Sequence, residues 1–198
     1  STSTTIRIQD GAIDQFSLSD SRGAGIRVIR DGRVGYAYSE DLSTEALERT
    51  LEKAASNAAL LEAAPERGLA EFPGETPQMP ELYRPDLAEV PLPQKIEAAM
   101  ALERIAKAAD PRIKNVTSTG YTDAHGFLRV VSTKGVDRMY RSSSAYVATV
   151  PLVTQDGENK TYYQIKVTRD FTHIDPEVIA KEAVERALEK LGSQEAAS

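Results

Sequence analysis

Three Asp-Gly pairs punctuate the chain, at Asp10-Gly11, Asp31-Gly32 and Asp156-Gly157. Asp-Gly tolerates positive φ at both central positions of a two-residue turn, so such a pair between strand-forming runs marks a tight antiparallel hairpin. The runs are present. "TTIRI" and "IDQFSLS" flank the first pair, and "GIRVIR" and "RVGYAYS" flank the second. Residues 3–38 therefore read as antiparallel β. A second β region spans about 112–170, in "IKNVTSTGYT", "FLRVVST", "VDRMYRSSSAYVATVPL" and "KTYYQIKVTRDF". Its expected turns are His125-Gly126, Lys134-Gly135 and Asp156-Gly157. The serine run Ser142–Ser144 is a place for a bend or a bulge.

Helices separate and close these regions. Ser43 is an N-cap candidate with Glu45 in the first turn. "TEALERTLEKAASNAALLEA" then places apolar residues at 47, 51, 54, 58 and 61, one stripe of a helix. Seven of the ten prolines fall between Pro65 and Pro93, which excludes long helices and central strands and predicts an extended connector. A helix follows from about Pro93 to Ala109, with Ile96, Met100 and Ile105 among its apolar residues. The last helix opens on Asp175 as N-cap and Pro176 at its first position, and stops at Gly192.

The expected fold class is α+β, antiparallel meanders packed against helices. "EALERTLEKAA" in the first half echoes "EAVERALEKLG" in the second. That echo, with the element order, points to two intertwined helix–meander–helix repeats; acidic-basic amphipathic helices also look alike without common origin. The segments are a first meander plus helix (1–63), a proline connector (64–92), a helix, second meander and closing helix (93–192) and a tail (193–198). Both ends read as cut, so the whole of 1–198 is expected to be one N-terminal domain of a longer protein.

Composition limits the partners. The 198 residues carry 24 basic and 30 acidic side chains, net −6, which argues against general affinity for nucleic acid or anionic membrane. There is no cysteine, hence no disulfide and no cysteine-type zinc site. That fits a reducing cytoplasm. No apolar run approaches the roughly 18 residues of a membrane span.

No catalytic constellation emerges. "GAGIRVIRDG" holds a G-x-G but leads into a strand, without the strand–turn–helix setting that brings phosphate to helix amides. Arg27, Arg30 and Arg33 are the candidates for substrate or partner binding, as a small basic patch. A solvated strand face paired with nearby acids is the reading that the acidic whole favours. His125 and His173 lack a histidine at helical metal-binding spacing, and "RSSSAY" lacks a nucleophile elbow. No catalytic residue and no metal ligand is expected in this chain.

Several blocks nevertheless resemble one family. "GAGIRVIRDGRVGYAYSEDLSTEALERTLEKAASNAAL" is similar to the N-terminal domain of the TldD/PmbA family, described as modulators of DNA gyrase and as metalloprotease-related. "LYRPDLAEVPLPQKIEAAMALERIAKAADPRIKNV" resembles its connector and following helix. "DFTHIDPEVIAKEAVERALEKLG" resembles the helix that closes its N-terminal domain. The resemblance implies a longer, cytoplasmic protein whose C-terminal domain follows this region. It implies zinc in the full-length catalytic subunit, on a His-Glu-x-x-x-His motif with a downstream cysteine, none of it in this chain. It also implies a second TldD/PmbA-type subunit in a homo- or heterodimer, and unfolded peptide as substrate. "LYRPDL" is closer to PmbA-like (TldE) members, which lack the zinc motif. The implied role is non-catalytic, in subunit assembly and in shaping the peptide channel. The alternative is a protein-binding module acting on DNA gyrase or another partner, without peptidase activity.

Overall fold

The computed structural model describes residues 1–64, 68–71, 74 and 81–193. Most of the proline connector's middle, and residues 194–198 of the expected tail 193–198, lie outside the described residues. The chain is α+β. It divides into two units.

The first unit comprises 1–19, 80–127 and 141–198. Its framework is a six-stranded sheet of β1 (Thr2–Gln9), β2 (Ala12–Asp20), β5 (Ile113–Val131), β6 (Asp137–Gln155), β7 (Glu158–Thr161) and β8 (Gln164–Thr168). The order is β2-β1-β5-β6-β7, with β8 also on β6. β1 runs antiparallel to β5, with Ile6 opposite Tyr121 and Thr2 opposite His125. Two helices, α3 (Leu92–Ala108) and α4 (Pro176–Leu188), pack on each other and on the sheet. Their facing residues are small, Ala98, Ala99 and Ala106 on α3 and Ala180, Ala183 and Ala187 on α4, all buried. Small side chains let helix axes approach closely. Ile6, Ile8, Leu102, Val116, Tyr121, Val147, Ile179 and Val184 fill the space between helices and sheet. A short helix α2 (Pro85–Glu89) sinks Leu87 into the same core.

The second unit comprises 20–79 and 128–140. Here β3 (Ala24–Arg30) and β4 (Arg33–Ser39) form a two-stranded hairpin packed on α1 (Thr44–Leu60). Gly35 decides the packing distance. A Cβ there would lie 1.9 Å from the Ala54 carbonyl oxygen and 2.3 Å from the Ala58 amide nitrogen. The helix backbone thus rests on the strand backbone, a close approach only glycine permits.

Turns and caps follow the sequence. Asp10, Gly11, Asp31, Gly32, Asp156 and Gly157 all have positive φ, the signature of two-residue hairpin turns. Gly135 turns the β5–β6 hairpin, also with positive φ. Ser43 caps α1 by accepting from the Ala46 amide, and Asp175 caps α4 through the Glu177 and Val178 amides. Gly192 takes the left-handed conformation after α4.

Four expectations change. First, the β1–β2 and β3–β4 hairpins do not form one meander; they enter different sheets. Second, His125-Gly126 is not a turn. The β1 ladder continues to Thr2 opposite His125, so β5 runs unbroken for 19 residues. Third, the segment after Asp156-Gly157 is two strands. Thr161 pairs with Leu152 and Gln164 with Thr149, which leaves Val150-Pro151 opposite Tyr162-Tyr163. Proline has no amide to donate, so the ladder lapses there and resumes in β8. Fourth, α1 buries Ala46, Thr50, Ala54 and Ala58, while Leu51 and Leu61 of the expected stripe are exposed. The close seat on Gly35 admits only small side chains. In the serine run β6 is continuous, and Ser143 is a docking point: its amide donates to the Leu82 carbonyl and its hydroxyl accepts from the Arg84 amide.

Candidate functional site

The arginines of the second unit come together only in part. Arg30 stands opposite Arg33 beside the hairpin turn, and Arg27 stands opposite Tyr36. All three are exposed, and Arg30 lies 3.9 Å from the Asp31 carboxylate. Arg27 shares a strand face with Tyr36 and Tyr38, whose hydroxyl ends occupy the space above Gly25 and Gly23. Strand alternation therefore sends Arg27 to the opposite face from Arg30 and Arg33. The three do not form one patch.

The first unit holds two polar assemblies that the sequence reading missed. One lies between α3 and β5. Lys95 (6% exposed) forms an ion pair with Asp123 (1% exposed). The Tyr121 hydroxyl donates to the same Asp123 oxygen at 2.8 Å, and Tyr121 meets Phe171 edge-on at 6.0 Å. His125 Nε2 stands 3.7 Å from the other Asp123 oxygen, beyond hydrogen-bond reach. Burial pushes the His125 pKa down and Lys95 adds to this, against the opposing pull of Asp123, so the site favours the neutral ring. Burial, with the bond to Asp123, pushes the Tyr121 phenol up. An ion pair this deep is retained because each charge neutralises the other; losing either partner strands a buried charge.

The second assembly holds the open end of the sheet. Glu103 (2% exposed) accepts from the Asp10 amide at 2.9 Å and the Gly11 amide at 2.7 Å. Lys107 closes it, 2.8 Å from Asp10 and 3.3 Å from Glu103. Lys107 in turn holds the Asp10 carboxyl below its ordinary range. One carboxylate thus grips both amides of the β1–β2 turn and fixes the hairpin on α3. These three residues border an open cleft completed by Glu97, Met100 and Arg104. The available sequence signal was the α3 stripe itself. Lys95, Ala98, Ala99, Leu102, Glu103 and Ala106 share one buried face, and two of them are charged.

The strand so fixed is unusual. β2 is the sheet edge, and all nine of its residues are exposed. Its apolar side chains Ile13 (46%), Phe16 (44%) and Leu18 (68%) are uncovered. Edge strands are normally blunted by Lys, Pro, bulges or cover. "AIDQFSLSD" has neither Lys, Arg, Pro nor Gly.

Known proteins place this architecture. Residues 1–58 match the PmbA/TldA metallopeptidase domain 1, and residues 85–191 match the PmbA/TldA metallopeptidase central domain. The chain belongs to the TldD/PmbA family. Within it, the chain is 25% identical over 194 residues to Metalloprotease PmbA of Escherichia coli O157:H7, covering 96% of this chain and 42% of that protein. Two solved structures share the fold. A Thermotoga maritima protein assigned as a modulator of a DNA gyrase superposes with a TM-score of 0.86 at 22% identity, over 99% of this chain and 44% of that one. TldE from Thermococcus kodakarensis superposes with a TM-score of 0.82 at 18% identity, over 94% and 42%. The chain thus spans less than half the length of the TldD/PmbA proteins it matches. The two family segments leave residues 59–84 of the connector region unmatched.

Two further facts bear on the TldD/PmbA setting. Among the described residues no helix is long and apolar enough to cross a membrane. Among the same residues no group of three or more His, Cys, Asp or Glu side chains could hold a metal ion. His125 is hemmed in by Lys95 and Asp123, and His173 lies in the short turn Phe171–His173. The donor set of the described residues does not fit a zinc centre.

Proposed function

We propose that this chain is the non-catalytic N-terminal portion of a TldD/PmbA-type zinc metallopeptidase complex that processes unfolded peptides. Its work is structural, to shape the peptide path and the subunit interface. The observation that carries the proposal is the match of both consecutive family domains along a chain that spans 42% of Metalloprotease PmbA. The zinc that the family name calls for would be held by residues outside these 198. The partner would be a second TldD/PmbA-type subunit, and the setting cytoplasmic. The open sheet edge supports a peptide-handling role, because strand addition recognises backbone more than sequence.

The test is assembly. The purified chain is mixed with a zinc-bearing TldD/PmbA subunit or with a separate C-terminal region, and the mass is followed by light scattering. The expected outcome is a stable complex whose turnover of unfolded peptide exceeds that of the partner alone. Failure to assemble with either, together with failure to bind unfolded peptide, overturns the reading. Capture of purified gyrase in place of the subunit would favour the module described for the family's gyrase-related members.

A further inference from the structure

We propose that the free edge of β2 is a docking strand for an extended peptide segment that alternates apolar and basic residues. This deepens the peptide-handling reading and rests on it.

Backbone geometry comes first. The two-residue turn at Asp10-Gly11 makes Gln9 and Ala12 the first hydrogen-bonded pair of the hairpin. Amides alternate along a strand, so even-numbered residues of β2 bond to β1 and Ile13, Gln15, Ser17 and Ser19 point their N–H and C=O groups outward. Among the described residues no strand lies beyond β2 in the sheet. The Glu103 grip on the turn keeps this edge in place before any partner arrives, which lowers the ordering cost of binding.

The side chains select the guest. Asp14, Phe16, Leu18 and Asp20 share one strand face, an apolar pair between two acids. Every charge on β2 is negative. Arg7 stands across from Asp14 by the same turn count, yet the two make no ion pair. A guest strand would therefore set apolar side chains beside Phe16 and Leu18 and Lys or Arg beside the acids, as cross-strand pairs do within a sheet. A second copy of β2 brings the same acids and adds to a chain already at −6. Charge thus favours a basic-apolar guest over self-pairing.

The probes are a fluorescent, capped octapeptide alternating Val and Lys, and its Val–Glu counterpart, read by anisotropy on the intact 198-residue chain. The Val–Lys peptide is expected to bind about tenfold tighter than Val–Glu. N-methylation of its alternate amides should abolish binding, since strand addition uses those amides. Ser17→Pro removes an outward amide without touching the β1 ladder and should cost about tenfold or more, whereas Ser17→Ala should not. Asp14→Lys should narrow the Val–Lys preference several-fold. Equal binding of the two peptides overturns the proposal, and so does indifference to N-methylation. If Ser17→Pro disturbs the hairpin by circular dichroism, the N-methyl peptide decides. Concentration-dependent dimerisation lost in Ser17→Pro would assign the edge to a second copy and overturn it as well. Assembly with a partner subunit that persists while no probe binds sinks this site alone and leaves the assembly reading standing.

Discussion

The two edges of the six-stranded sheet are built on opposite plans. The β7–β8 edge is short, interrupted and tied down. Pro151 breaks its ladder, the Lys190 ammonium donates to the Thr161 carbonyl, and the Gly192 amide donates to Glu158. Gln164 donates to Glu182 of α4, and Lys190 lies over the Tyr162 ring. The segment after α4 thus occupies the Thr161 carbonyl, a backbone acceptor that another strand would use, and side-chain bonds hold the rest of the edge to α4 and its end. The β2 edge is long, continuous and bare. One sheet carries both, so the bare edge does not reflect a general neglect of edge protection. What differs is the local demand, and the contrast between the two edges supports the proposal that a partner strand docks on β2.

The contrast can be broken from the middle. Lys95→Met leaves Asp123 buried without its cation and should cost about 3–5 kcal/mol. Both edges hang on β5 and β6, so hydrogen exchange should rise at both, and a change confined to one edge would contradict the shared support. Glu103→Ala should cost about 2–4 kcal/mol, because two turn amides and Lys107 lose their carboxylate. Here exchange should quicken at β1–β2 while β7–β8 amides stay unchanged, and that asymmetry is the measurement that matters.

Smaller effects sharpen it further. Pro151→Val restores an amide opposite Tyr162-Tyr163; the expected result is a new protected amide and one continuous strand, with stability shifted within about 1 kcal/mol. His125 supplies the pH arm. Its native pKa lies below the ordinary 6.5, so the unfolded chain binds the extra proton first as pH falls. The stability it contributes is complete above pH 6.5 and declines below it until the native ring also protonates. His125→Gln should flatten that decline in urea titrations between neutral pH and about pH 5.

Local chemistry was legible where it acts alone. The three Asp-Gly turns, the Ser43 and Asp175 caps and the terminal Gly192 depend on a few adjacent residues, and all are where the sequence puts them. Legibility failed where a distant strand decided. Gly126 reads as a turn residue, but β1 reaches Thr2 beside His125 and keeps the chain extended. Pro151 reads as one apolar residue in a strand, while its effect appears on the neighbour it cannot bond. The inward alternation of β5 also shifts between Val116 and Thr119, which hid Asp123 among apparently outward positions. Lys95 and Glu103 resemble ordinary helix charges until the α3 stripe is counted with them included. The arginines show the converse: Arg27 and Arg30 are three positions apart on one strand, an odd offset that places them on opposite faces despite their proximity in sequence.

The Glu103 grip also bears on the chemical durability of the turn. Asp-Gly links convert slowly to isoaspartate when the glycine amide nitrogen attacks the aspartate side chain and closes a succinimide ring. At Asp10-Gly11 that nitrogen is engaged, its hydrogen donated to Glu103 at 2.7 Å, and the Asp10 carboxylate is held by Lys107. Asp31-Gly32 and Asp156-Gly157 have the same sequence without that clasp among the described residues. Of three identical dipeptides, the one that positions the open strand is expected to convert most slowly, which peptide mapping after prolonged incubation would check.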